Sequence, residues 1–118
     1  MALEFEIFTR PMSVNRYYAT TRTGQFHTTN EGKAYKEGIR AGLAELGEAF
    51  TKFSGFIKLD IQLKYGRKRR LDVDNCLKPL LDSLEGYLYD NDSQIYQLSI
   101  SKSFGHQVES LVLKAEAL

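Results

Sequence analysis

Apolar and polar residues alternate with a period of two in four stretches, and in two others the apolar residues recur at helical spacing. Leu3, Phe5 and Ile7 alternate with Glu4 and Glu6, predicting a first strand over residues 2–9 that Pro11 closes. The clearest strand runs from Phe56 to Tyr65, with Ile57, Leu59, Ile61, Leu63 and Tyr65 on one face and Lys58, Asp60, Gln62 and Lys64 on the other. Tyr96, Leu98 and Ile100 predict a third strand and Leu111, Leu113 and Ala115 a fourth. Phe104-Gly105-His106-Gln107 is the turn between them, giving a hairpin.

Between these strands, Thr28, Thr29 and Asn30 supply N-cap candidates for a helix over residues 30–47, in which Ala34, Ile39, Leu43 and Leu46 recur at helical spacing. Leu77, Leu80, Leu81, Leu84 and Leu88 mark the apolar stripe of a second helix over residues 74–85, with Gly86 as its stop. Pro79 is tolerated if that helix starts close to Asn75 or Cys76. Residues 10–29 are rich in Thr, Gly, Asn and Arg, with Tyr17, Tyr18 and Phe26 interspersed and no stable period. This segment reads as a long loop with a short hairpin around Thr23-Gly24. A loop of such length in a compact domain argues for a binding role. The order β-α-β-α-β-β predicts one α+β domain over residues 1–118, a mixed sheet of about four strands with two helices on one face.

Composition narrows the class. A chain of 118 residues supports one core, and its apolar runs are too short to cross a bilayer. With no basic-then-apolar leader pattern at the N-terminus, a soluble, cytoplasmic protein with no membrane partner is expected. Cys76, the sole cysteine, excludes an internal disulfide and Cys-rich zinc sites. His27 and His106 lie in polar, turn-like surroundings and read as solvated surface side chains. The net charge of +1 hides a local imbalance: Lys64, Arg67, Lys68, Arg69 and Arg70 crowd into seven residues just before the densest acidic motif.

That motif holds Asp72 and Asp74, whose carboxylates project from one side of an extended segment with roughly 6.5 Å between Cα atoms. Two such carboxylates and a third from elsewhere suit Mg²⁺, which takes hard oxygen ligands and completes its shell with water and phosphate. Lys78 stands four residues after Asp74, where a cation would counter charge developing on a phosphate. Spacing alone leaves plainer readings open: Asp74 as a helix cap, Asp74 with Lys78 as a surface pair, and Asp90-Asn91-Asp92-Ser93 as a turn. The basic run beside the acids favours a polyanionic substrate such as nucleic acid.

Geometry permits Asp92 to join the pair. A helix over residues 74–85 carries the chain about 16 Å away and the six residues from Tyr87 to Asp92 span about 20 Å when extended, so the return is nearly taut. Completion within one chain is expected, with Asp92 of a second subunit reaching across a two-fold axis as the alternative.

The pattern Asp72-x-Asp74-Asn75-x-x-Lys78, Asp82-x-Leu84 and Asn91-Asp92-x-Gln94-Ile95, preceded by Pro11-x-Ser13-x-Asn15-Arg16-Tyr17-Tyr18, resembles the RusA family of Holliday junction resolvases. The resemblance spans most of the chain. It implies a homodimeric endodeoxyribonuclease that makes paired nicks in four-way DNA junctions with Mg²⁺ or Mn²⁺. Asp72, Asp74 and Asp92 match the family's catalytic, metal-binding acids and Lys78 its active-site lysine. Family members often carry two acids where this chain has Asn91-Asp92, which leaves Asp90 as a rival to Asp92. Lys64, Arg67, Lys68, Arg69 and Arg70, with Asn75, Arg16 and Arg22, are the expected DNA contacts, and Tyr17 and Tyr18 the expected stacking partners of unpaired bases at the crossover. Leu88, Tyr89 and Tyr96 flank the acidic turn and are candidates for either dimer surface or core. Two other functions stay open: a junction-binding protein with little or no cleavage activity, and a Mg²⁺-dependent nuclease for other branched DNA or RNA.

Overall fold

The structure, a computed structural model, describes residues 2–46, 51–68 and 72–118. Its elements are β1 (Ala2–Ile7), α1 (Val14–Tyr17), β2 (Tyr18–Thr20), β3 (Phe26–Thr28), α2 (Asn30–Ala44), β4 (Ile57–Lys64), a 3₁₀ turn (Val73–Cys76), α3 (Leu77–Leu84), a second 3₁₀ turn (Asp92–Gln94), β5 (Ile95–Ser103) and β6 (Ser110–Ala117). The expected mixed sheet of four strands is present, with β2 and β3 forming a separate two-stranded hairpin. The predicted end of the first helix at residue 47 falls outside the described residues.

One expectation of topology is corrected. β5 and β6 do not form a hairpin: the sheet order is β1-β6-β4-β5, so β6 inserts between the first strand and the central one. β4 pairs antiparallel with β6 and parallel with β5. Local periodicity predicts each strand but carries no information about its neighbours. The apolar face of β4 explains the central position, because Ile57, Leu59, Ile61 and Leu63 are all buried and need flanking strands and a helical cover.

That cover is one layer. Tyr35, Ile39 and Leu43 of α2, and Leu80 and Leu84 of α3, join Phe5, Ile7, Leu111, Leu113 and Ala115 in a single core. The opposite face is polar, with Glu4, Asp60, Gln62, Ser99, Ser101 and Lys114 around a shallow depression. Thr29 starts α2 by accepting a hydrogen bond from the Gly32 N–H, as its N-cap position demands. The second predicted helix divides into a 3₁₀ turn and α3, so Pro79 falls in the first turn of α3, where a missing N–H costs little. Gly86 takes a left-handed conformation at φ 84°, as expected of a residue that stops a helix.

Leu88 and Tyr89 belong to the core, each fully buried, whereas Tyr96 is exposed. Tyr17 is also fully buried, packed edge-on against Tyr18 and Tyr35.

Two of the three glycines of α2, at positions 32 and 38, separate steric need from propensity. A Cβ on Gly32 would lie 2.7 Å from the Tyr17 carbonyl oxygen and 2.9 Å from Thr28 Cγ2, while one on Gly38 meets open space. Gly38→Ala is therefore expected to stabilise the fold by about 1 kcal/mol through helix propensity. Gly32→Ala is expected to destabilise it by about 1–3 kcal/mol despite the same propensity gain. Urea unfolding of both variants checks this, and equal stabilisation at the two positions would contradict the packing described.

Candidate active site

The crossover from β4 through α3 to β5 builds a groove on the outer side of α3. Asp74 of the first 3₁₀ turn, Leu77, Lys78, Leu81 and Asp82 of α3, and Asp92 of the second 3₁₀ turn line a cavity of about 220 Å³. Helical period explains the division of labour: Leu80 and Leu84 face the core, which leaves Lys78 and Asp82, one turn apart, on the outer surface.

Asp92 reaches this groove from its own chain. A capping box, in which Asn91 and Gln94 exchange side-chain and backbone hydrogen bonds, fixes the turn that carries it. The Gln94 amide also donates to the carbonyls of Phe53 and Gly55, and the Asp92 N–H donates to Glu85 Oε1 at 3.4 Å. Its rival Asp90 is ion-paired with Lys52 and does not line the groove.

Asp72 is exposed at the N-cap position of the first 3₁₀ turn, yet its side chain makes no capping bond, and it does not line the groove. Asp74 follows in the first turn of the same segment. Among the described residues, no three acidic, histidine or cysteine side chains gather closely enough to enclose a cation alone. The donor chemistry fits Mg²⁺ nonetheless, since that ion commonly takes one or two protein carboxylates and leaves the rest of its shell to water and substrate phosphate.

Lys78 departs from the sequence expectation. Regular α-helix begins only at Leu77, so the i,i+4 relation links Lys78 forward to Asp82, at 3.2 Å, rather than back to Asp74. Asp82 also accepts a hydrogen bond from the Tyr18 hydroxyl, which ties the β2-β3 hairpin to α3. In the sequence Asp82 stands out only within the Asp82-x-Leu84 motif. Its signal was the four-residue spacing of positions 74, 78 and 82.

The predicted DNA contacts scatter. Arg67 and Lys68 are exposed in the loop after β4, whose start is held by Glu109, accepting from the Gly66 N–H and paired with Arg10. Arg69 and Arg70 lie outside the described residues. Lys64 is engaged with Glu6 at 3.6 Å, and strand alternation puts it on the sheet face away from α3. Arg16 pairs with Glu31 at 2.8 Å, and Arg22 is exposed in the hairpin turn. Asn75 is half-buried, its N–H bonded to the Asp72 carbonyl. Complete burial removes Tyr17 as a stacking surface, because α1 turns its ring into the core. Tyr18 keeps partial exposure beside Lys78. Cys76 is buried and shares a hydrogen bond with the Tyr65 hydroxyl, and burial raises its pKa.

These features define a class: a small α+β protein in which one helix carries a lysine between carboxylates along an open groove. The family model for endodeoxyribonuclease RusA matches residues 9–113, and the chain belongs to that family. It is 32% identical over 98 residues to the crossover junction endodeoxyribonuclease RusA of Escherichia coli K12, covering 78% of this chain and 76% of the relative. The enzyme of that name from Enterobacteria phage 82 gives the same values. The one from Enterobacteria phage HK97 is 33% identical over 85 residues, 70% of this chain and 68% of the relative. No helix among the described residues is long and apolar enough to cross a membrane.

Asp82 gives the groove a pH-dependent cost. Burial, and then the neighbouring Glu85 and Asp92 carboxylates, raise its pKa. The native state thus binds this proton more tightly than the unfolded chain does. The resulting stabilisation is complete below the unfolded pKa and is lost as pH rises through the raised native value. Asp82→Asn is accordingly expected to raise Tm at pH 7, with the gap to wild type narrowing as pH falls through the ordinary carboxylate range. A lower Tm for the variant at pH 7 would mean that the Lys78 and Tyr18 contacts outweigh burial and repulsion.

Proposed function

We propose that this protein is a structure-selective endodeoxyribonuclease that resolves four-way DNA junctions by paired nicks, with Mg²⁺ or Mn²⁺ as cofactor. The observation that carries this reading is the meeting of Asp74, Lys78 and Asp92 on one groove in a chain of the RusA family. Asp74 and Asp92, with Asp72 two residues before Asp74 at the edge of the groove's first turn, would hold the divalent cation. Once bound, such a cation supplies Lewis-acid polarisation of a phosphate and a water of lowered pKa.

The chain's own side chains do the rest. Lys78 offers a positive charge where the scissile phosphate gains negative charge. Asp82 holds that ammonium toward the groove through its 3.2 Å contact and is a positioning residue. Arg67, Lys68, Arg69 and Arg70 contribute sequence-independent phosphate contacts, which makes binding sensitive to salt. A cytoplasmic location, where DNA is accessible, belongs to the same reading.

Wild-type protein is expected to nick a synthetic four-way junction only when Mg²⁺ or Mn²⁺ is present, and to leave matched linear duplex and RNA largely uncut. Asp74→Asn should bind the junction with unchanged salt dependence and not nick it, and Lys78→Ala should nick about 10²–10³-fold more slowly. Binding without nicking by the wild type, nicking in EDTA, or equal cutting of duplex would each overturn the proposal.

Paired nicks call for two equivalent sites, which a two-fold dimer supplies. β5 is one of the two edge strands of the sheet, nine residues long, with Tyr96 63% and Leu98 42% exposed and Tyr96 stacked on exposed Phe56 at 3.8 Å. A long edge with exposed apolar side chains is a template for strand pairing, and here it supports a homodimer joined β5 to β5. Wild type is expected to sediment as a dimer and the double variant Tyr96→Asp/Leu98→Asp as a folded monomer. A dimer unaffected by both substitutions would place the interface elsewhere.

A further inference from the structure

A second cleft adjoins the groove, and Lys78 is common to both. It has a volume of about 350 Å³ and, among the described residues, is lined by Val14, Tyr18, Phe26 and Lys78, so that its walls are almost wholly apolar and aromatic. Phe26 is 78% exposed, a cost that packing does not explain, since its ring takes no part in the core.

The post that carries Phe26 is tied down at both ends. Thr20 pairs with Phe26 and Tyr18 with Thr28 across the β2-β3 hairpin. At its base, Thr29 donates through its N–H to the Tyr17 carbonyl and through its hydroxyl to the Arg16 carbonyl. On the α3 side, the Tyr18 hydroxyl holds Asp82, which in turn holds Lys78. An exposed aromatic ring is therefore held beside the side chain assigned to the scissile phosphate.

We infer that this cleft receives one unpaired nucleobase next to the scissile phosphate, stacked on Phe26. The inference rests on the nuclease reading above and adds the recognition of the strand being cut. Lys78 dictates the occupant: a strand whose phosphate lies at Lys78 must lead its adjoining base along the same side chain, and an apolar, aromatic-walled cleft accepts a base's π-face. A base still paired and stacked in duplex cannot enter. The cleft thus favours substrates with bases already freed, as at a strand crossover, over continuous duplex.

The test couples the side chain to the base. Single-turnover nicking of a four-way junction is measured for wild type, Phe26→Ala and Phe26→Trp, with an abasic nucleotide placed in turn at each position flanking the crossover. Phe26→Ala is expected to slow nicking of the intact junction about tenfold or more, the usual loss for one base–aromatic stack, and Phe26→Trp to retain most of the rate. At one abasic position, wild type should fall to the Phe26→Ala rate and the substitution should cost nothing further. Nicking by Phe26→Ala within twofold of wild type, or an equal loss on intact and every abasic substrate, would overturn the inference while leaving the nuclease reading intact. A wild type that does not nick the junction at all overturns both.

Discussion

Every part of the groove depends on how α3 is rotated against the sheet. Leu80 and Leu84 are fully buried in the core that α3 shares with α2 and the sheet, and burying side chains of that size is worth about 1.5–3 kcal/mol each. With those two facing inward, the helical period leaves Lys78 and Asp82 no orientation but the outer one. Three other elements fix the same rotation. Arg40 of α2 donates to the Ser83 and Glu85 carbonyls at the C-terminal end of α3, where a cation is favoured. The Tyr89 hydroxyl donates to the Leu81 carbonyl, and Tyr18 reaches Asp82 from the hairpin. The apolar face of the helix therefore sets the geometry of its polar face.

The parallel pairing of β4 and β5 supplies the rest. Parallel neighbours require a crossover, and the crossover here is α3 itself, with acids immediately before it and after its return. Gly86, the bridge between Glu85 and Tyr89, and the Asn91–Gln94 capping box turn the chain back so that Asp92 arrives beside the helix it has just left. Burial there, reinforced by the like charges of Glu85 and Asp92, is why Asp82 holds its proton more tightly than an ordinary carboxylate.

Much of this was legible in the residues, and the remainder was hidden for physical reasons. Alternation in β4 and the stripe in α2 register burial on one face, so they reveal the strand, the helix and the side facing the core. Strand order is a long-range property, and nothing local indicates that β6 lies between β1 and β4. Tyr17 misled because a tyrosine in a polar, Thr- and Arg-rich segment looks solvated. A single turn of helix, too short to show a period, rotates it into contact with Tyr35. Spacing relates Lys78 to Asp74, but which carboxylate it pairs with depends on where regular helix begins, a boundary that periodicity sets only within a few residues. Phe26 carried no sequence signal beyond being aromatic, and its meaning arises from a hairpin that brings it to Lys78.

The central claim is that one chain assembles a whole cleavage site along α3. Mixing Asp74→Asn with Asp92→Asn so that heterodimers form tests it most directly, with heterodimers of wild type and the Asp74→Asn/Asp92→Asn double variant as the control that retains one intact site. The account predicts nicking of a four-way junction by the control and none by the mixture, because each chain in the mixture lacks one of its own acids. Recovery of nicking in the mixture would contradict it, showing that each site draws Asp74 and Asp92 from different subunits.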